Sequence, residues 1–488
     1  MRFAMNSLLL VSSSSSGAGR RPARLVVAAL AACLVAGCSV RRPYQTPAPP
    51  TVAAWTSSAG VESSVDTGAI TRWWERFGDP QLSAYVERAV TGSPDIRTAL
   101  SRLREARASV ASSRSVLTPS VDASGSARFS GSDNVNQSYS LGLDASWEID
   151  VFGGNQLAVD AATATAEART FDLQDALVSL ASEVAIDYID VRSLQRRLAI
   201  ASQNLSLQEE TLSLTRFRVE AGLATEVDVQ QALSNTESTR AQIVSLESQL
   251  ARARHALAVL IGEPPAALDA ELEATAEIPV APIDVAVGVP AETIRRRPDV
   301  RSAERQYAAQ FAQVDVARAD LYPSFRLAGS IGLESLSIAK LLLPGAAFWS
   351  AAPSVNTRVF NRTQLRQNLV IQTERQEQAA QTYETRVLNA LRDVEDALTS
   401  LTHETVRRDH LTAAAAAAEQ SADLSLQLYT AGLRDFRDVL DAQRSLLSLQ
   451  DSLVSSRATV SSELVRLYKA LGGGLGAADF VPAEASGS

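Results

Sequence analysis

The chain is written twice. Pro94-Asp95-Ile96-Arg97 recurs as Pro298-Asp299-Val300-Arg301, at an offset of 204 residues. Each run opens a helical stretch that stops at the same distance, at Pro119-Ser120-Val121 and at Pro323-Ser324-Phe325. Ala221-Gly222-Leu223 recurs as Ala431-Gly432-Leu433, and each is followed 40 residues after its glycine by another, Gly262 and Gly472. Two matched pairs in one order make the chain two copies of a unit of roughly 200 residues. Each copy reads as helix, hairpin, very long helix, glycine turn and second long helix.

The first hairpin is the clearest element. Tyr139, Leu141, Leu143, Ala145, Trp147, Ile149 and Val151 alternate with Ser140, Gly142, Asp144, Ser146, Glu148 and Asp150. Period-two alternation of this kind gives a strand with one apolar and one polar, acidic face. Its partner, about 120–131, alternates Val121, Ala123, Ala127 and Phe129 against Asp122, Ser124, Arg128 and Ser130. In the second copy Phe325, Leu327, Ile331 and Leu333 share a face, as do Trp349, Ala351, Val355 and Val359 on the return strand. Strands of roughly 10–13 residues cross a bilayer when tilted. Four strands cannot close a barrel, and an open edge in lipid leaves backbone groups unpaired. Two chains would give eight strands, which side chains fill; three give twelve, wide enough for a lumen. Soluble hairpins packed on helices would show the same alternation.

The helical stretches are very long. From Gly154 to Val219 nothing interrupts one helical pattern of ~100 Å at 1.5 Å per residue, and residues 363–430 repeat it. After the first turn Ile243, Leu246, Leu250, Ala253, Leu257 and Leu260 form a heptad seam. Leu446, Leu453, Val460, Leu464, Leu467 and Leu471 form the corresponding one. These stripes read as packing surfaces.

The amino-terminal segment reads as an export signal. Residues 1–38 contain no Asp or Glu, Arg20, Arg21 and Arg24 precede an apolar stretch from Leu25 to Ala36, and Leu34-Val35-Ala36-Gly37-Cys38 follows. The stretch is too short to span a membrane, which takes ~20 residues, but it suits a signal-peptide core. The small residues before Cys38 look like a lipobox, with the Cys38 thiol taking a lipid. Residues 39–70, rich in Pro, Ser, Thr and Ala, read as an extended tether.

Composition then removes whole classes of function. The 488 residues carry a net charge of -9, and loss of residues 1–37 takes away four arginines and no acid, against a basic nucleic-acid face. The two cysteines, Cys33 and Cys38, both lie in the leader region, so the body has no disulfide framework. His255, His403 and His410 have no metal-site spacing. No G-x-x-x-x-G-K-[ST], G-x-S-x-G or H-E-x-x-H occurs. The sequence therefore predicts no enzyme, no cofactor, no metal and no nucleic-acid partner.

Trp73-Trp74-Glu75-Arg76-Phe77-Gly78-Asp79-Pro80, the Arg-Arg-Pro-Asp-Val run at 296–300, Ala319-Asp320-Leu321-Tyr322-Pro323-Ser324-Phe325 and Tyr429-Thr430-Ala431-Gly432-Leu433 carry a resemblance. Their order resembles the TolC/OprM-like outer-membrane factors of tripartite efflux and type I secretion systems, across about residues 40–474. The lipobox points to the OprM/NodT-type lipoprotein branch. The resemblance implies an internally duplicated α+β membrane protein: a homotrimer whose 12-stranded outer-membrane β-barrel, four strands per chain, continues as a periplasmic α-helical coiled-coil barrel. A mixed α/β belt would be formed partly by segments near 70–90, 262–290 and the C-terminus.

The expected domains are a signal peptide (1–37), a tether (38–70), a first repeat (71–280), a second repeat (281–474) and a tail (475–488). The first repeat holds a hairpin at about 120–151 and helices at about 154–220 and 225–261. The second holds a hairpin at about 324–360 and helices at about 362–431 and 435–471.

Gly222 and Gly432 mark tight helix reversals, which need a positive φ. Asp438 and Asp441 lie three apart, on one helix face. In a trimer they would stack as acidic rings that attract cations. By resemblance Asp438 and Asp441 match aperture aspartates, Tyr429 and Arg434 match latch residues, and Asp228 matches their carboxylate partner. Val227, Asp435 and Arg437 depart from that pattern. Acids also favour helix starts without any gate.

The function expected is that of an outer-membrane, lipid-anchored exit duct of a tripartite pump of the resistance-nodulation-division (RND) type. Its partners would be a periplasmic adaptor, an inner-membrane pump and outer-membrane lipid. The alternatives are a duct for type I protein secretion and a non-conducting coiled-coil lipoprotein. The transported substrate is not legible.

Overall fold

In the computed structural model, the structure describes residues 40–48, 52, 54–56, 71–131, 136–283, 290–360 and 362–474. The signal peptide, Cys38, most of 49–70 and the tail lie outside them. The chain divides into two compact units, residues 1–43, 114–158 and 314–369, and residues 44–113, 159–313 and 370–488.

The first unit is built on a single antiparallel sheet in the order β1-β2-β3-β4. Its strands are β1 (Ser120–Ser130), β2 (Asn136–Ile149), β3 (Ser324–Ser335) and β4 (Ala347–Asn356). Leu143 stands opposite Ala123 on one side and Ile331 on the other, and Ile331 opposite Trp349. The register therefore puts every odd-numbered strand residue on one face. That face carries Val121, Phe129, Leu141, Leu143, Ile149, Leu327, Ile331, Trp349 and Val355, all exposed in the chain. The other face is mostly serine, charge and glycine. Its serines bond across the strands: Ser126 to Ser140 at 2.9 Å, Ser330 to Ser350 at 2.6 Å, and Ser124 to the Asp144 carboxylate at 2.6 Å.

Aromatic side chains mark both ends of the apolar face. Phe129 and Tyr139 meet edge to face at 6.0 Å at the hairpin end. Phe152 stacks on Tyr322 at 4.8 Å beyond the other end, where Trp147 donates to the carbonyl of Leu117. The eleven residues from Tyr139 to Ile149 span ~33 Å along a strand, or ~25 Å of height at a tilt near 40°.

Two residues given to the strands by alternation lie outside them. β2 ends at Ile149, and the Val151 amide folds back to the Ile149 carbonyl at 2.9 Å. β4 ends at Asn356, three residues before Val359. Alternation outlasts the ladder, because polarity patterns do not report where pairing stops.

The second unit is helical. Its elements are α1 (Pro80–Gly92), α2 (Pro94–Ser115), α3 (Gly154–Glu220), α4 (Glu226–Ile261), α5 (Pro290–Arg296), α6 (Pro298–Ala319), α7 (Thr363–Thr430) and α8 (Phe436–Ala470). The ends of α2, α3, α6 and α7 nearest the strands belong to the first unit. α3 has 67 residues and α7 has 68.

The tryptophan motif closes the core of this unit. Trp73, Trp74 and Phe77 are buried in a short 3-10 helix, and Trp73 stacks on Tyr468 of α8 at 5.4 Å. Gly78 adopts a φ of 63°, and Asp79 then caps α1 by accepting from the Gln81 and Leu82 amides. The other carboxylate oxygen of Asp79 accepts from the Tyr188 hydroxyl at 2.8 Å. Leu246, Leu250 and Leu257 of the first heptad seam are buried here, with Ile243, Ala253 and Leu260 packed against them. The Arg-Pro-Asp run has a local reason too. Buried Arg297 donates to both oxygens of Asp299, and also to Asp393 and to the Ala470 carbonyl.

No strand occurs near 70–90 or in the described part of 262–290, where Pro264, Pro265, Pro279 and Pro282 remove ladder donors. The amino-terminal segment is also held to the body. It is extended, but the Arg42 Nε donates to Asp315 at 2.6 Å, and Trp55 is buried in the helical core. Among the described residues no helix is long and apolar enough to cross a membrane, and no group of His, Cys, Asp and Glu could hold a metal ion.

Candidate functional site at the helix turns

The two glycine turns have one construction. Just past the end of α3 Gly222 takes a φ of 71°, and just past the end of α7 Gly432 takes one of 75°. The Gly222 amide bonds to the Val219 carbonyl and the Leu223 amide to that of Arg218; Gly432 and Leu433 repeat this on Tyr429 and Leu428. This pair of bonds is the Schellman ending, and a side chain in its left-handed position would be strained. Leu223 and Leu433, which follow the glycines, are exposed.

A small apolar cluster of its own joins the turns. Leu212, Val229, Ala232, Tyr429, Phe436, Val439 and Leu440 are buried together. Tyr429 is only 4% exposed, with its ring 5.3 Å from that of Phe436. Below the cluster lies a polar layer. Gln443 donates to Thr211 at 2.9 Å, and the Arg444 Nε donates to buried Asn235 at 2.9 Å.

The residues singled out in the sequence separate into different jobs. Asp228 is the third residue of α4 and completes a capping box: it accepts from the Thr225 amide and hydroxyl at 2.9 and 2.8 Å. The equivalent place in the second copy holds Asp438, behind Asp435. Asp435 has no hydroxyl to donate as Thr225 does, and it caps nothing with its side chain. Asp438 instead accepts from Arg434 at 3.1 Å, four residues back on an exposed surface. The Asp228–Arg434 pair is thus not formed within the chain. Asp441 is exposed one turn beyond Asp438 on α8.

Tyr429 has another partner. The Arg218 guanidinium lies 4.5 Å from the centroid of its ring, and the Arg218 Nη1 donates to the Thr430 carbonyl at 3.2 Å. One side chain therefore ties the last turn of α3 to the last turn of α7. Neither Arg218 nor Thr225 was singled out from the sequence. Thr225 was findable, since Thr-x-x-Asp before an apolar run is a helix-start signature.

Farther along α3 is a carboxylate series, Glu183, Asp187 and Asp190, spaced four and three residues apart. Burial, with Asp190 and Glu183 beside it, pushes Asp187 up to about 6.

A family model described as "Outer membrane efflux protein" matches residues 85–263 and again 289–473. Over 451 residues the chain is 33% identical to Nodulation protein T of Rhizobium leguminosarum bv. trifolii, covering 90% of this chain and 94% of that protein. It is 34% identical over 426 residues to the pyoverdine export outer membrane protein OpmQ of Pseudomonas aeruginosa, covering 84% and 88%. The solved structure of the outer-membrane channel OprN is similar with a TM-score of 0.85 at 32% identity, covering 90% of this chain and 99% of that one.

Proposed function

The chain belongs to the outer membrane efflux protein family and is an outer-membrane channel of a tripartite efflux system, not an enzyme, and on that premise we propose how it conducts. Three copies close a 12-stranded barrel in the outer membrane. The apolar sheet face meets lipid and the serine-rich face lines the lumen. The two repeats, 71–280 and 281–474, each contribute one hairpin and one pair of long helices. The duct is passive: an inner-membrane pump of the RND type supplies energy through a periplasmic adaptor. A lipid on Cys38 adds a second anchor to the barrel.

One observation carries this reading. The four-stranded register makes one face apolar from edge to edge, while β1 and β4 each keep an unpaired edge. Apolar faces of this width are costly in water, and open edges are costly in lipid. Pairing β1 of one copy with β4 of the next removes the open edges, so the closed ring can bury its apolar face in lipid, and three copies leave a lumen.

We place the gate at the glycine turns. Asp438 and Asp441 form the aperture rings there. Tyr429, Arg434 and Asp228 were the expected latch, and Arg218 joins Tyr429 in closing each chain's own pair of turns.

The experiment is reconstitution of the purified protein in a planar bilayer, with its mass measured in the same detergent. A trimer that opens small cation-selective steps is expected. A folded monomer that never inserts would overturn the barrel, and large anion-selective steps would overturn the acidic aperture.

A further inference from the structure

The serine-rich face of the sheet carries a single large apolar side chain, Phe348. Its register partner is Gly332, whose own partner on β2 is Gly142. The Phe348 ring is turned onto this glycine row: a Cβ built on Gly332 would come within 3.1 Å of its Cε1. Gly332 shares its face with Ser330 and Glu334, so the ring lies on the polar side. It is half-buried, with part of its surface left open.

An aromatic ring covering a strand glycine has a structural use, because it replaces packing that the glycine lacks. A leucine would serve that purpose as well. What leucine does not supply is a flat π surface with a negative face, which attracts cations and stacks with planar groups. Around it the wall offers Ser124, Ser330, Ser350 and Glu334, which hold no apolar solute.

We propose that Phe348 is a binding station for aromatic and organic-cation solutes on the lumen wall, near the hairpin end of the barrel. The assignment rests on the barrel reading above. In three copies the station becomes a ring of three aromatic faces in an otherwise polar passage. Solutes with apolar or cationic surface pause there; small inorganic ions pass it.

The test uses a thiol as reporter. Ser350→Cys puts one on the same face, two residues from Phe348, and the parent protein without it sets the background. The trimer in proteoliposomes is treated with a sulfonated maleimide, with and without tetraphenylphosphonium. With Phe348 or Phe348→Tyr, the cation is expected to slow modification about fivefold. With Phe348→Leu, which still covers Gly332, protection is lost. Ser354→Cys, ~13 Å farther along the strand, stays unprotected. Equal protection in the leucine variant, or none with either aromatic residue, overturns the station. A Ser350→Cys thiol reached only by a membrane-soluble maleimide would put this face in lipid and overturn the barrel with it.

Discussion

The guanidinium of Arg218 and the ring of Tyr429 face each other across 4.5 Å, at the only place where the last turn of α3 bonds to the last turn of α7 among the described residues. Two contacts of one side chain hold the turns together there, over an apolar cluster of seven buried residues. A cation over an aromatic face gives about 0.5–2 kcal/mol, more when water is kept away. Arg218→Ala is expected to loosen the turns, enlarge single-channel steps and speed proteolysis between Ala221 and Thr225. Arg218→Lys should recover part of the effect. Conductance and cleavage that do not change would take Arg218 out of the gate.

Asp228 and Arg434 make a second case, because each has a different partner within the chain. Loss of a helix cap costs about 1 kcal/mol, so Asp228→Ala should lower thermal stability whether or not it gates. The double variant with Arg434→Ala separates the two roles. Additive effects on conductance are expected if each residue acts only on its own helix start. Coupling of about 1 kcal/mol or more would instead join them across copies of the chain.

Asp438, half-buried, and Asp441, exposed, sit one helical turn apart on α8. Replacing both with alanine is expected to weaken cation selectivity and block by polyvalent cations. Reversal potentials in a salt gradient measure this directly. Selectivity left intact would remove these residues from the aperture.

Asp187 supplies a pH dependence whose sign can be worked out. Its folded pKa, about 6, lies above the ordinary carboxylate value of 3.8. Folding therefore favours its protonated form, and stability from this group is fully present at low pH and is lost as pH rises through about 4 to 6. Asp187→Asn should raise the midpoint of thermal unfolding at pH 7.5, by about 2–4 °C, and leave it unchanged at pH 4. A gain of equal size at both pH values would show that charge is not the cause.

If the proposed barrel anchors the chain by itself, Cys38→Ser should remove the proposed lipid and leave the trimer assembled. Membrane fractionation with cross-linking reads both properties. A wholly soluble monomer would mean that the strands do not span the membrane.

The legible parts of this molecule are those written in local pattern. Leu141, Leu143 and Trp147 announced a strand by alternation, and Leu246, Leu250 and Leu257 announced a seam by heptad spacing. Gly222 and Gly432 announced reversals because few other residues accept their φ. Arg218 was not legible. Its bonding partner lies 212 residues away, and nothing in Arg218-Val219-Glu220 marks one arginine among many. Arg42 was hidden for the same reason: a Pro-rich segment reads as a tether until Asp315, 1% exposed, is found beneath it. Asp228 is ambiguous in a different way. Its spacing suits a latch and a capping box alike, and only Thr225 distinguishes them.

The two open strand edges also bear on inheritance. A ring closed by joining β1 of each copy to β4 of the next tolerates no faulty member, since one bad edge leaves the circle open. A cell making sound and edge-damaged chains in equal amounts would then assemble about one sound ring in eight. A damaged second gene copy would therefore harm export far more than no second copy at all.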